Sequence, residues 1–131
     1  MEKTLQFLKD AGVVYIATVD GDQPRVRPFG AFNEFEGKIY IITSNQKDVY
    51  QQLMNNPKVE ISGMVGQDKW IRLTAKLVRD ERIEAKKSML DANPGLRNMY
   101  SEEDGKMEVL YLEDATAVFC SFTEAPEVHN F

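Results

Sequence analysis

The chain has 131 residues, 43% hydrophobic and 28% charged, with 16 basic against 21 acidic side chains and a formal charge of −5 at pH 7. That length suits one domain with a real core, and the acidic balance argues against a nucleic-acid surface, which needs a broader basic patch than this chain carries. One cysteine cannot form an internal disulfide, and no apolar run approaches the roughly 20 residues of a membrane span. With charges where a signal peptide needs an apolar region, a cytoplasmic protein with no membrane partner is expected.

Residues 2–10 put Leu5, Phe7 and Leu8 on adjacent faces of a short amphipathic helix that Ala11 and Gly12 end, expected to pack as a lid. Residues 13–19 are rich in β-branched and aromatic side chains, and Asp20-Gly21 signals a hairpin into a strand over residues 23–32. The Glu36-Gly37 turn leads to a third strand, 38–44, so these three are expected to form an antiparallel meander. A helix opening at Asn45-Gln46-Lys47 carries Val49, Tyr50, Leu53 and Met54 at helical spacing and stops at Asn55-Asn56-Pro57. Residues 58–65 and 70–78 alternate as strands around a turn at 66–69. A helix over 81–92 precedes the Asn93-Pro94-Gly95 break, and residues 107–112 and 115–122 read as the last strands. The tail after Thr123 reads as poorly ordered or as a partner-docking segment. The pattern predicts an all-β to α+β domain: a small closed or split antiparallel β-barrel of six or seven strands, with two or three flanking helices. Closure removes the exposed edges that so many antiparallel strands would leave.

Arg25 and Arg27 are two apart, so an extended strand points both to one face. The third strand ends in Thr43 and Ser44, candidates to cap a helix whose first turn holds Lys47 beside Asp48. A lysine is the less usual choice there, because the helix dipole favours acids at that end. Together these groups make a candidate anion pocket of guanidinium donors and unpaired backbone N–H groups. The competing reading is that both arginines are the wet face of a half-buried strand and Lys47 a solvated helix residue. His129, the only histidine, lies in the tail with no second ligand nearby, so no metal site is expected. Cys120 sits in an apolar strand as a small hydrophobe, and Glu102, Glu103 and Asp104 form a solvated run before a glycine. Met89, Met99 and Met107 read as packing residues, with Met99 and Tyr100 placed to border a ligand groove.

In their order, Asp20-Gly-Asp-Gln-Pro-Arg-Val-Arg-Pro-Phe29, Gly37-Lys-Ile-Tyr-Ile-Ile-Thr-Ser44, Lys47, Asn55-Asn-Pro57 and Lys69-Trp-Ile-Arg-Leu-Thr-Ala75 resemble the FMN-binding split barrels, the pyridoxamine 5'-phosphate oxidase-like superfamily. The resemblance runs from about Leu5 to about Phe122. It implies that the barrel is the split form in Greek-key order, with FMN as cofactor, and a homodimer with a flavin in each groove between subunits. Carried over by position, Arg25 and Lys47 look like the phosphate ligands. Val26 and Arg27 open the flavin-contact segment, with Pro28 and Phe29 beside the ring. Ile42, Thr43 and Ser44 match the strand end under the ribityl chain. Trp70 sits where the oxidase branch tends to have a glutamine reaching the ring from the other subunit, and its rival role is to fill the dimer seam. The chain lacks the C-terminal Arg and Trp segment with which the oxidases hold a substrate phosphate, offering Glu124, Glu127 and His129 instead. Vitamin B6 oxidation is therefore not expected. The resemblance leaves catalytic residues unassigned and two functions open: an FMN-dependent oxidoreductase using a nicotinamide or other reductant, or a non-catalytic flavin carrier or sensor.

Overall fold

The computed structural model describes residues 1–131. Helix α1 (Glu2–Ala11) precedes strands β1 (Val14–Asp20), β2 (Gln23–Phe29), β3 (Phe32–Phe35) and β4 (Lys38–Ser44). Helix α2 (Asp48–Asn55) leads to β5 (Lys58–Val65) and β6 (Lys69–Asp80). Helix α3 (Ile83–Ala92), a 3-10 turn (Pro94–Asn98), β7 (Met107–Ser121) and β8 (Glu127–Asn130) complete the chain. All pairings are antiparallel, in the order β2-β1-β5-β6-β7-β4-β3, with β8 added to β7.

The two ends of that path, β2 and β3, are consecutive in the chain. Phe29 ends one and Phe32 begins the other, so three residue steps of at most about 11 Å join them. The sheet must therefore curl until its ends nearly meet. Since β2 and β3 do not pair, the result is a split barrel with its opening at Gly30-Ala31. The expected single strand over 23–32 is broken there, and the expected three-strand meander is instead two hairpins at opposite ends of the sheet. No turn signal marks Gly30-Ala31 as an interruption, and both flanking segments are extended.

The strand count also differs from expectation. The two last strands are one strand, β7, which turns at Asp114 with φ of 52° where the β6 pairing slips by one residue between Thr74 and Lys76. The tail forms β8, which pairs residue for residue from Thr116↔Asn130 to Phe119↔Glu127. Backbone bonds between Phe131 and Ala115 at 2.7 and 2.9 Å extend the pairing.

Inward positions of the strands build the main core of Val14, Ile16, Ile61, Ile71, Leu73 and Ala117, closed by Leu5 and Leu8 of α1. A second cluster of Tyr40, Ile42, Met89, Leu90, Met107 and Val109 fills the space under α3. Close packing of β1 against β5 depends on Gly63, where an added Cβ would lie 2.7 Å from Val14 Cγ1 and 3.4 Å from Ala11 Cβ at the end of α1. The opposite face of the sheet leaves Tyr15, Val26, Met64 and Phe122 exposed, and the Trp70 and Phe122 rings lie 4.9 Å apart there.

Candidate functional site

Asp20↔Gln23 closes the β1–β2 hairpin, and that register fixes Arg25 opposite Thr18 and Arg27 opposite Ile16. The Arg25 Nε donates to Asp20 Oδ2 at 3.2 Å in a half-exposed pair. Arg27 turns across β1 towards α2. One terminal nitrogen donates to Thr18 Oγ1 at 2.7 Å and to the Ile16 carbonyl at 3.3 Å, and the other donates to Gln52 Oε1 at 2.8 Å. Thr18 Oγ1 donates in turn to the same Gln52 oxygen at 2.6 Å. Burial, followed by the charge of Arg25, lowers the pKa of Arg27, and Asp48 opposes the shift. The guanidinium is thus held in place by neutral acceptors while its charge remains without a carboxylate.

After β4 the chain makes a turn at residues 45–46, where Ser44 Oγ accepts the Gln46 N–H at 3.2 Å. The helix therefore starts later than expected: Lys47 is the extended N-cap residue of α2, and no side chain caps the helix. Ser44 is held in the turn and Thr43 is buried at the strand end. Lys47 pairs with no carboxylate, whereas Asp48 occupies the first helical turn.

These residues border two connected clefts. The larger, about 610 Å³, runs along the split between the barrel ends, lined by Arg27, Pro28, Phe29, Gly30 and Ala31 on one side and by Ile42, Thr43, Lys47 and Val49 on another. Ala92, Asn93, Leu96, Met99 and Tyr100, together with Pro94 and Gly95, form its outer wall. The second, about 520 Å³, shares Arg27, Lys47 and Val49 with it and adds Asp20, Arg25, Val26, Asp48 and Gln52. A basic pair therefore stands where a half-apolar groove meets a polar cleft. Arg27 and Lys47 are the only charged side chains along the groove, and Tyr100, its pKa raised by burial and then by Asp104, is the only other ionisable one.

The structure brings together Arg25, Val26, Arg27, Pro28, Phe29, Ile42, Thr43 and Lys47 around these clefts. It does not bring Trp70 there: the indole lies on the exposed sheet face beside Phe122. Ser44 borders neither cleft. Met99 and Tyr100 do border the groove. Sequence reasoning missed Thr18 and Gln52, although the hairpin register already put Thr18 diagonal to Arg27. No group of three or more His, Cys, Asp or Glu side chains is arranged to hold a metal ion. His129 lies in β8 with Nε2 2.6 Å from Glu127 Oε2.

Residues 1–117 match the family model described as pyridoxamine 5'-phosphate oxidase. The chain belongs to the pyridoxamine 5'-phosphate oxidase family. This family member is similar to a solved NimC/NimA family protein from Clostridium acetobutylicum, with 50% identity, 100% of this chain and 93% of that chain covered, and a TM-score of 0.96. It shares its fold with General Stress Protein 26 from Bacillus anthracis at 20% identity, with 99% and 97% of the two chains covered and a TM-score of 0.78. A heme binding protein from Mycobacterium smegmatis also has this fold, at 14% identity and a TM-score of 0.73, with 94% of this chain and 57% of that one covered. No curated protein matches this pyridoxamine 5'-phosphate oxidase family member. No helix of it is long and apolar enough to cross a membrane.

Proposed function

We propose that this chain is an FMN-binding flavoprotein, an oxidoreductase acting on a small molecule, working as a homodimer. The observation that carries the reading is the meeting of the two clefts at Arg27 and Lys47, cations with no carboxylate partner at the end of a half-apolar groove of about 610 Å³. That volume lies within the usual range for cofactor sites, which combine apolar walls with a few placed polar groups. Arg27, Lys47 and Arg25 would hold the phosphate, and Thr43 with the Pro28–Gly30 backbone would border the rest of the cofactor. FMN supplies the redox chemistry; the protein supplies binding, orientation and exclusion of water. Phe29, Leu96 and Met99 give the groove apolar walls. The groove contains one basic cluster and no second, which favours substrates without a phosphate of their own over a vitamin B6 phosphate.

A carrier or sensor role is the second reading. It is favoured by the absence of any carboxylate, imidazole or thiol side chain along the groove, the groups that most often serve as general bases. The absorbance spectrum of the purified protein, followed by addition of reduced nicotinamide, separates the readings. Flavin bands that bleach support the oxidoreductase, and flavin bands that respond to no donor support the carrier. A Soret band in place of flavin bands would overturn both in favour of haem.

A further inference from the structure

The sequence has six arginines, and five of them have a carboxylate within salt-bridge distance. Arg25 pairs with Asp20, Arg72 with Glu60, Arg79 with Glu81 and Glu108, Arg82 with Glu36 and Asp80, and Arg97 with Asp91 and Glu102. Arg27 is the exception. It is half-buried, so its charge has lost solvation, yet all its acceptors are neutral: Thr18 Oγ1, the Ile16 carbonyl and Gln52 Oε1. The hydrogen bonds close a ring, because Thr18 donates to the Gln52 oxygen that also accepts from Arg27. An arginine recruited only to join β1, β2 and α2 would be held more strongly by a carboxylate, as the other five are. The neutral ring does something a carboxylate cannot: it fixes the direction of the guanidinium and leaves its charge free for an anion.

We infer that Thr18 and Gln52 are positioning residues that orient Arg27 through neutral hydrogen bonds and thereby set the preference of the site for a phosphorylated ligand. The inference rests on the FMN reading above and adds two residues to it. Thr18 is 2% exposed and borders neither cleft that Arg27 shares with Lys47, so it acts on a ligand only through Arg27. Gln52 borders the polar cleft, and its neutrality is the essential property: a carboxylate at that position would pair with Arg27 and remove the charge that the phosphate needs. Asp48, whose charge acts on Arg27, forms no salt bridge with it and leaves the guanidinium available.

The test compares FMN with riboflavin, which lacks the phosphate, in fluorescence titrations of the wild type, Gln52→Glu, Thr18→Val and Thr18→Ser. Gln52→Glu is nearly isosteric and adds a salt bridge, so it should melt no lower than wild type, yet lose roughly ten- to a hundredfold in FMN affinity with riboflavin within about twofold. Thr18→Val should lose about tenfold for FMN alone, and Thr18→Ser should restore it. A purely structural role predicts the same stability for Gln52→Glu but with the FMN preference intact. If the wild type prefers FMN and either Gln52→Glu or Thr18→Val keeps that preference, the inference fails. If the wild type binds both flavins equally, the phosphate reading itself fails, which the variants are not needed to show.

Discussion

Arg27 and Lys47 each present a cation that no carboxylate neutralises, whereas Arg25 is already engaged by Asp20. Their substitutions should therefore rank. Arg27→Ala and Lys47→Ala each remove a charge-assisted contact and should cost FMN binding about 1.5–3 kcal/mol, or about ten- to a hundredfold. Arg25→Ala should cost less, because the exposed Arg25 must first leave Asp20. Isothermal titration of the three variants with FMN checks the order, and equal losses in all three would contradict it. At this scale much was legible in the sequence: Arg25, Arg27 and Lys47 stand out by charge and spacing, and Pro28, Phe29, Ile42 and Thr43 by family position. Thr18 and Gln52 were not, because a threonine in a strand and a glutamine in a helix carry no signal until the hairpin register and the helix docking bring them together. Trp70 is expected at a site only through a partner subunit, and within one chain it lies on another face of the sheet.

Among the elements, α3 determines the outer wall of the groove, which begins at its last residue, Ala92, and continues to Tyr100. Its entry is held by Asp80, which is buried, accepts from the Tyr40 hydroxyl at 2.7 Å and from the Arg82 backbone N–H at 3.0 Å, and pairs with the Arg82 guanidinium at 2.9 Å. Hydrogen bonding from Arg82 is the largest cause that lowers the Asp80 pKa, to about 2. A depressed carboxylate contributes stability that is complete above its unfolded pKa, near 4, and is lost as pH falls through its folded value. Denaturant midpoints measured from about pH 4 down to about pH 2 should fall in the wild type, and Asp80→Asn should start lower and lose less over that window. A parallel fall in both would contradict the assignment. Gly63→Ala should cost about 1–3 kcal/mol by overpacking against Val14, read from the same denaturation curves. Strands and helices were legible from alternation and helical spacing. The break at Gly30-Ala31 was not, because the pattern on either side is continuous and only pairing partners reveal that β2 and β3 belong to opposite ends of the sheet. The single bent strand β7 escaped for a related reason: Glu113-Asp114 looks like a turn, and a bulge uses the same residue types.

For the molecule as a whole, alternation named apolar residues on the late strands without saying which face each takes. Ile71, Leu73 and Phe119 prove to be core, while Trp70 and Phe122 lie outside with Tyr15, Val26 and Met64. A second copy covering that outer face would account for its apolar character. Leu73→Ala should then cost about 2–5 kcal/mol of stability. Trp70→Glu should leave the fold nearly as stable but shift sedimentation towards monomer and weaken FMN binding. A Trp70→Glu protein that stays dimeric and binds FMN as wild type does would place the seam elsewhere. In the proposed flavoprotein, FMN binds with its phosphate at Arg27 and Lys47. Equilibrium titration of the purified protein with FMN and with riboflavin tests it most directly. One FMN per chain, with riboflavin at least about tenfold weaker and that difference abolished in the Arg27→Ala, Lys47→Ala double variant, is the predicted result. No flavin binding, or equal affinity for the two flavins, would contradict it.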